Sequence, residues 1–413
     1  MSGEREADAG VEVGLRRVPE LDPAAPLPES DPHLLERIRR EIRRDGPMPF
    51  ARFMELAMYD PEAGYYVASR GADEAETGPG RAADFLTAPE GHPIFGWALA
   101  RHLESVWLAL DRPAQFVVRE HGAGTGALAA GILDGLRRSG SSLLEAVRYQ
   151  PVDASPARLD ALRERVAALA LADRLETFDP RPSPGAVLAN ELLDALPVHR
   201  VEGGPDGSLL ERFVAVEPGA GAAAGASPTF TTVLGPPSTP DLAARLADEG
   251  ITLQPGQPAE VCLAVDRWVA DAAASLERGE LLLIDYGYPA AELYNPDRGS
   301  TLRAYHRHRV HADPLIGIGR QDLTAHVDLT AVERAAAAAG FTAIGRTSQA
   351  QFLAALEMGE LLVGLQSDLA TTLESYLEAR SALVRMLDPR ATGAFAVLAF
   401  GRGLAPRALR GFG

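Results

Sequence analysis

The stretch "VVREHGAGTGAL", residues 117–128, decides how the rest of the chain is read. Val117 and Val118 belong to "QFVVRE", a short apolar run of the kind that forms a buried strand. Three glycines follow at 122, 124 and 126, and then a helical pattern runs to about Arg138. Strand, glycine turn and helix open a βαβ unit, and such sheets bind ligands outside the carboxyl ends of their strands. The glycines let the backbone approach a ligand, and the helix N-terminus favours partial negative charge. Gly122-x-Gly124-x-x-Ala127 also fits the dinucleotide fingerprint. Glu120 argues for another ligand, because a carboxylate just before the glycines gains nothing from a pyrophosphate and much from a cation.

The strands that follow also end in acids or amides. "VRYQPVDAS" reaches Asp153, 31 residues after Gly122, whereas a dinucleotide site places its acid about 20 residues on. A carboxylate there can take both hydroxyls of a ribose. "RLETFD" ends at Asp179, where a carboxylate or amide meets an adenine. In "VLANELLDALPV", residues 187–198, an apolar strand runs straight into Asn190, Glu191 and Asp194 and closes with Pro197. S-adenosylmethionine fits Glu120, Asp153, Asp179 and Asn190 together. It has a ribose, an adenine and a cationic amino-acid end, and no phosphate.

Beyond this crevice, strands and helices alternate from residue 115 onward. "QFVVRE", "VRYQPVDAS", "RLETFD", "AVLANE", "ELLLIDYG", "FTAIGRTS" and "GAFAVLAFGRG" read as seven strands of an open, mostly parallel sheet. Residues 1–30 read as a disordered arm and 31–112 as an N-terminal helical cap. In the cap, Ser30 or Asp31 starts a helix that buries Leu34, Leu35, Ile38 and Ile42 and stops at Gly46. Residues 113–197 and 259–405 form the core, and 198–258 an insertion between strands four and five, with a hairpin and the run "PGAGAAAGASP". Residues 288–328 read as a long polar loop with little regular structure, which makes them a functional candidate.

Composition removes several chemistries. All 40 basic residues are arginine, so neither a Schiff-base lysine nor a P-loop lysine is available. The net charge of −17 argues against wrapping nucleic acid. A single cysteine, Cys262, excludes a disulfide framework and a cysteine zinc site. No apolar run reaches membrane-spanning length, and the acidic start "MSGEREADAGVEVG" fits neither a secretion signal nor a transit peptide, so a cytosolic location is expected.

"PFARFMELAMYDPEAGYY", "ADFLTAPEGHPIFG", "EHGAGTGAL", "YQPVDASP", "LANELLDALPVHR", "LLLIDYGY" and "DPLIGIGRQDLTAHVD" occur in that order over roughly residues 35–400. With these motifs the chain resembles the MidA-type S-adenosylmethionine-dependent methyltransferases, relatives of the mitochondrial complex I assembly-factor arginine methyltransferase. The resemblance implies a Rossmann-like class I methyltransferase fold with seven strands, the last antiparallel. It adds Asp84 and Thr87 to the cofactor set of Glu120, Gly122, Gly124, Gly126, Asp153, Asp179 and Asn190. It also implies a protein acceptor methylated symmetrically on arginine, with a respiratory complex I-type subunit as the partner class. The usual turn E-L-G-P-G-x-G is changed here at His121 and Ala123, and the usual glutamate of the second strand is Asp153.

Glu191 is the expected grip on an acceptor guanidinium, through a bidentate pair, and Asp194 is a second catalytic candidate, offering its carboxylate to the acceptor from the same loop. His326 in "QDLTAHVD" is a candidate proton acceptor. The competing reading of that stretch is a helix start capped by Asp328 or Thr330. His306, His308 and His311 read as a polar, substrate-facing loop and not a metal site. Tyr65, Tyr66 and Asp84 are expected to form a lid over the cofactor. Two rival functions remain: an NAD-dependent oxidoreductase, which has no use for Glu120, and a non-catalytic assembly factor that binds S-adenosylmethionine.

Overall fold

The structure is a computed structural model that describes residues 10–13, 16–19, 29–68, 87–217, 230–306, 309–369, 371–404 and 409–412. Its centre is one sheet of six strands: β1 (Phe116–His121), β2 (Val147–Val152), β3 (Ser183–Asn190), β4 (Leu276–Asp285), β5 (Thr342–Ser348) and β6 (Ala396–Arg402). Their order is β5-β6-β4-β3-β1-β2. Strands β1 to β4 pair in parallel, and β6 runs antiparallel between β4 and β5. The chain leaves β1 for β2 on one side and returns to β3 on the other. The carboxyl ends of β1 and β3 therefore flank the point where strand order reverses, which is where ligands of such sheets bind.

Alternation along the strands covers both faces of the sheet. Ala186, Leu188, Leu282 and Ile284 pack toward the helices Ile94–Ala109 and Ala127–Arg138. Val187, Ala189, Leu281 and Leu283 pack toward Ala264–Ala274 and Leu329–Ala338. This two-sided burial is why these strands read as continuous apolar runs.

The expected third strand, "RLETFD", is not a strand. It makes a single parallel bridge, Leu175 with Tyr149, in which the Glu176 N–H donates to the Tyr149 carbonyl at 2.8 Å. Pro151 lies two residues on and faces the same edge, so it cannot supply the next ladder donor. The segment is tied down instead by Arg119, whose fully buried guanidinium donates to the carbonyls of Asp179 (2.9 Å), Arg181 (2.9 Å) and Ser275 (2.8 Å).

The cap, the insertion and the long loop build one further layer. In the cap, Asp31 caps the helix Pro32–Asp45, accepting from the His33 and Leu34 N–H groups, while Ser30 Oγ accepts from Ile318 N. Met48–Pro49 pairs with Leu209–Val216 of the insertion, which also pairs with His199–Gly203 and Phe230–Gly235. Pro258–Val261 closes this second sheet on His199–Gly203. Residues 288–328, expected to lack regular structure, carry a three-stranded sheet of Arg309–His311, Arg303–His306 and Asp322–Thr324. Leu302, Ala304, Ile318, Leu323 and Ala325 bury against the cap residues Leu34, Ile38, Phe50 and Met54. These apolar positions, scattered between charges, bury only because the cap helices meet them.

Three helices that the sequence reading did not include, Gln349–Ala355, Met358–Ser367 and Leu373–Leu387, lie between β5 and β6. Within the expected disordered arm, Gly10–Val13 pairs antiparallel with Arg16–Pro19. Among the described residues, no helix is long and apolar enough to cross a membrane.

Candidate active site

The carboxyl ends of β1, β2 and β3 open into a cavity of about 310 Å³. Its floor is the glycine turn. Gly122 and Ala123 N–H groups both donate to the Val152 carbonyl (2.8 and 3.1 Å), which bends the chain back over β2. Gly122, Gly124 and Gly126 have φ of +73°, +53° and +82°, values that only glycine adopts readily. At Gly126 a Cβ would also stand 2.4 Å from Leu162 Cγ. Gly126 therefore shapes the turn from behind, while Gly122 and Gly124 line the cavity.

Asp153 is locked to this turn. Its Oδ2 accepts from the Gly124 N–H and its Oδ1 from the Ser155 N–H, both at 2.9 Å. Each oxygen keeps a further acceptor site. Glu120 is buried and accepts at 2.8 Å from the Tyr149 hydroxyl. Burial pushes its carboxyl up to about 8, against the Tyr149 hydrogen bond and with help from Asp153. A cation placed beside Glu120 would reverse that shift.

At the end of β3, Asn190 and Glu191 both line the cavity. The Asn190 amide donates to Glu191 Oε1 (3.3 Å), and its own Oδ1 is buried with no hydrogen-bond partner among the described residues. Glu191 has φ of +52°, a left-handed conformation that costs a residue with a Cβ about 1 kcal/mol. Its N–H donates to the Ile284 carbonyl at 2.8 Å.

Several cavity residues had no role in the sequence reading. Glu90 accepts from Thr125 Oγ1 (2.7 Å) and faces Arg165 at 3.3 Å. Tyr59 stacks on Tyr66 with ring centroids 5.7 Å apart, and the Arg158 guanidinium lies 5.2 Å above the Tyr66 ring. The Tyr59 hydroxyl donates to the Ala195 carbonyl and the Tyr66 hydroxyl to Asp322 Oδ1, both at 2.9 Å. His121 and Trp268 meet edge to face at 5.5 Å. Burial, with Arg119 nearby, pulls the His121 imidazole down to about 4, so it is neutral at ordinary pH. Glu90 sits inside the quoted "ADFLTAPEGHPIFG" motif and Tyr59 inside "PFARFMELAMYDPEAGYY", so a signal existed for those two; nothing in the local sequence marks Arg158 or Trp268.

Of the expected site residues, the structure brings Thr87, Glu120, Gly122, Gly124, Asp153, Asn190 and Glu191 to the cavity, together with Tyr66 of the expected lid. It does not bring Asp179, Asp194, His326 or Tyr65. Asp179 is turned outward onto Arg181 (2.7 Å), because its strand collapses to a bridge. Asp194 is buried in the turn below Glu191, and Tyr65 is buried with its ring edge-on to Tyr66. His326 lies between the rings of Tyr286 and Tyr288, outside the cavity lining, and burial among arginines holds it down to about 4. Asp328 caps the helix Leu329–Ala338, as one of the two readings of that stretch has it. Asp84 and His308 lie outside the described residues. His306 Nδ1 sits 3.0 Å from the Arg320 carbonyl, away from the cavity lining.

A parallel sheet with a strand-order reversal, a glycine turn, a ribose-ready carboxylate and a buried acid beside an orphaned amide oxygen define a nucleoside-binding fold suited to a cationic ligand. The family model described as "Putative S-adenosyl-L-methionine-dependent methyltransferase" matches residues 98–347. The chain belongs to that family. A solved structure from Burkholderia thailandensis, bound to S-adenosyl-homocysteine, is 36% identical, with 94% of this chain and 98% of that chain covered and a TM-score of 0.81. A Drosophila melanogaster relative, named protein arginine methyltransferase NDUFAF7 homolog, mitochondrial, is 29% identical over 359 residues, 79% of this chain and 77% of its own length. The human protein arginine methyltransferase NDUFAF7 is 27% identical over 328 residues, 73% of this chain and 68% of its own.

The residues present fit the family's cofactor. The orphaned Asn190 Oδ1 and the half-partnered Glu120 carboxylate can receive the cationic amino-acid end, and the spare acceptor sites of Asp153 the ribose. A dinucleotide would instead set a pyrophosphate against buried Glu120.

Proposed function

We propose that this chain methylates a protein arginine, to the symmetric dimethyl product, with a respiratory complex I-type subunit as the acceptor. The observation that carries this reading is the side-by-side exit of Asn190 and Glu191 from β3 into one cavity. Asn190 and the glycine turn form the cofactor side, and Glu191 offers a carboxylate on the other. The bound cofactor supplies a methyl group on a positively charged sulfur, open to in-line displacement. Glu191 grips a guanidinium through paired charge-assisted hydrogen bonds and holds one nitrogen in line. Tyr59 and Tyr66 roof the same space, and stacked aromatic faces suit a planar cation. The names of the Drosophila and human relatives support the same acceptor class.

The test is methyl transfer from radiolabelled S-adenosylmethionine into proteins of a cell lysate, followed by acid hydrolysis of the labelled band. Label in symmetric dimethylarginine is expected. Label in another residue would overturn the arginine reading, and cofactor binding without any transfer would leave the non-catalytic assembly factor.

A further inference from the structure

We infer that Asp285, at the end of β4, is a positioning residue that presets Glu191 for the acceptor; this rests on the role given to Glu191 above. Asp285 is 2% exposed and lies beside Glu191, one step beyond the pair Asn190–Ile284 in the β3–β4 register. Its Oδ2 accepts from three successive N–H groups, Leu192 (3.1 Å), Leu193 (2.8 Å) and Asp194 (3.4 Å). Its Oδ1 accepts from the Tyr286 N–H at 2.8 Å. The short 3₁₀ turn Leu193–Ala195 has no side-chain cap of its own, so Asp285 supplies one from the neighbouring strand.

This cap stands in costly surroundings. Burial, with repulsion from Asp194 and Glu191, pushes the Asp285 carboxyl upward, and burial with repulsion from Glu191 pushes Asp194 up to about 7. A neutral amide could accept from some of the same donors without a charge beside Asp194. The carboxyl accepts from four N–H groups on its two oxygens, a set that an amide, with one acceptor oxygen, cannot satisfy. The turn it holds is the one that keeps Glu191 left-handed, a conformation that persists only where the surroundings over-determine it. Two ties act on either side of Glu191: the Ile284 carbonyl on its own N–H, and Asp285 on the next three. The Glu191 side chain is thereby committed to the cavity before any acceptor arrives, which lowers the ordering cost of binding.

Asp285→Asn keeps the shape and weakens the clamp. Three measurements test it: hydrogen–deuterium exchange over residues 190–195 and 120–126, calorimetric binding of S-adenosyl-homocysteine, and single-turnover methyl transfer into lysate proteins in wild-type and Glu191→Gln backgrounds. Exchange is expected to rise at least tenfold over 190–195 and to stay unchanged over 120–126. The dissociation constant should move less than threefold. Methyl transfer should fall at least tenfold in the wild-type background and less than twofold beside Glu191→Gln. Unchanged exchange over 190–195, exchange rising equally in both segments, or an equal loss of transfer in both backgrounds would overturn the inference. If Asp285→Asn does not fold, Asp285→Ser carries the same three expectations. Full activity of Glu191→Gln would remove the acceptor role while leaving the exchange result to judge the clamp, so the two failures are distinguishable.

Discussion

The two walls of the cavity are built by different means. The wall proposed for the cofactor, apart from Asn190, runs from Glu120 to Asp153, one strand–turn–helix–strand unit, and its ties are local: Gly122 and Ala123 to Val152, Gly124 to Asp153, Tyr149 to Glu120. The wall proposed for the acceptor is assembled from distant parts of the chain. Tyr59 reaches Ala195 and Tyr66 reaches Asp322, residues more than a hundred positions away, and Asp285 holds the turn under Glu191. Contiguous chain can specify a cofactor that many enzymes share. An acceptor site specific to one family needs contacts that only the finished fold brings together.

If that division holds, damage to one wall should leave the other's ligand alone. The largest effect is expected for Asp153→Ala, which removes a charged acceptor from the ribose and frees the Gly124 N–H. Affinity for S-adenosyl-homocysteine should fall by about 2 kcal/mol, or about thirtyfold. Glu191→Gln should lower single-turnover methyl transfer at least tenfold, from the loss of roughly 2 kcal/mol of a charge-assisted pair, with cofactor affinity unchanged.

The third effect depends on pH. Glu120 is held at about 8 in the free protein, so it is largely protonated at neutral pH. A cationic ligand favours the ionised form, so binding should release a proton. The affinity for S-adenosylmethionine should rise by about fivefold between pH 7 and pH 8 and level off above that. Calorimetry in two buffers of different ionisation enthalpy reads the proton directly. The sign for stability is opposite. A carboxyl raised on folding binds more protons when folded, so the ligand-free protein should lose stability as pH climbs from about 4.5 to 8. Saturating cofactor should flatten that slope. The smallest effect is expected for Tyr66→Phe, which loses one hydrogen bond to buried Asp322. A fall of about 1 kcal/mol in unfolding free energy is expected, with cofactor affinity intact.

The same division explains what could be read from the sequence. The cofactor wall was legible because its signals are adjacent: a strand, glycines that need positive φ, and acids at strand ends. Asp179 misled, since a strand-like "RLETFD" cannot extend a ladder past Pro151, and only the fold shows Arg119 holding that segment. Asn190 and Glu191 were legible as polar residues abruptly ending an apolar run. Asp194, three residues on, carries the same chemistry but is turned into the protein, a distinction that depends on where Asp285 sits. Residues 288–328 read as polar loop because their buried positions, Leu302, Ala304 and Leu323, are isolated among charges and become core only beneath the cap helices. His326 looked like a base by its neighbours in sequence, yet it packs against the rings of Tyr286 and Tyr288 and does not line the cavity.

The central claim is that one cavity holds cofactor on the Asp153 wall and acceptor on the Glu191 wall. Calorimetric titration of S-adenosyl-homocysteine into wild type, Asp153→Ala and Glu191→Gln tests it most directly. The account predicts about thirtyfold weaker binding in Asp153→Ala and wild-type binding in Glu191→Gln. Equal weakening in both variants, or wild-type affinity in Asp153→Ala, would contradict it.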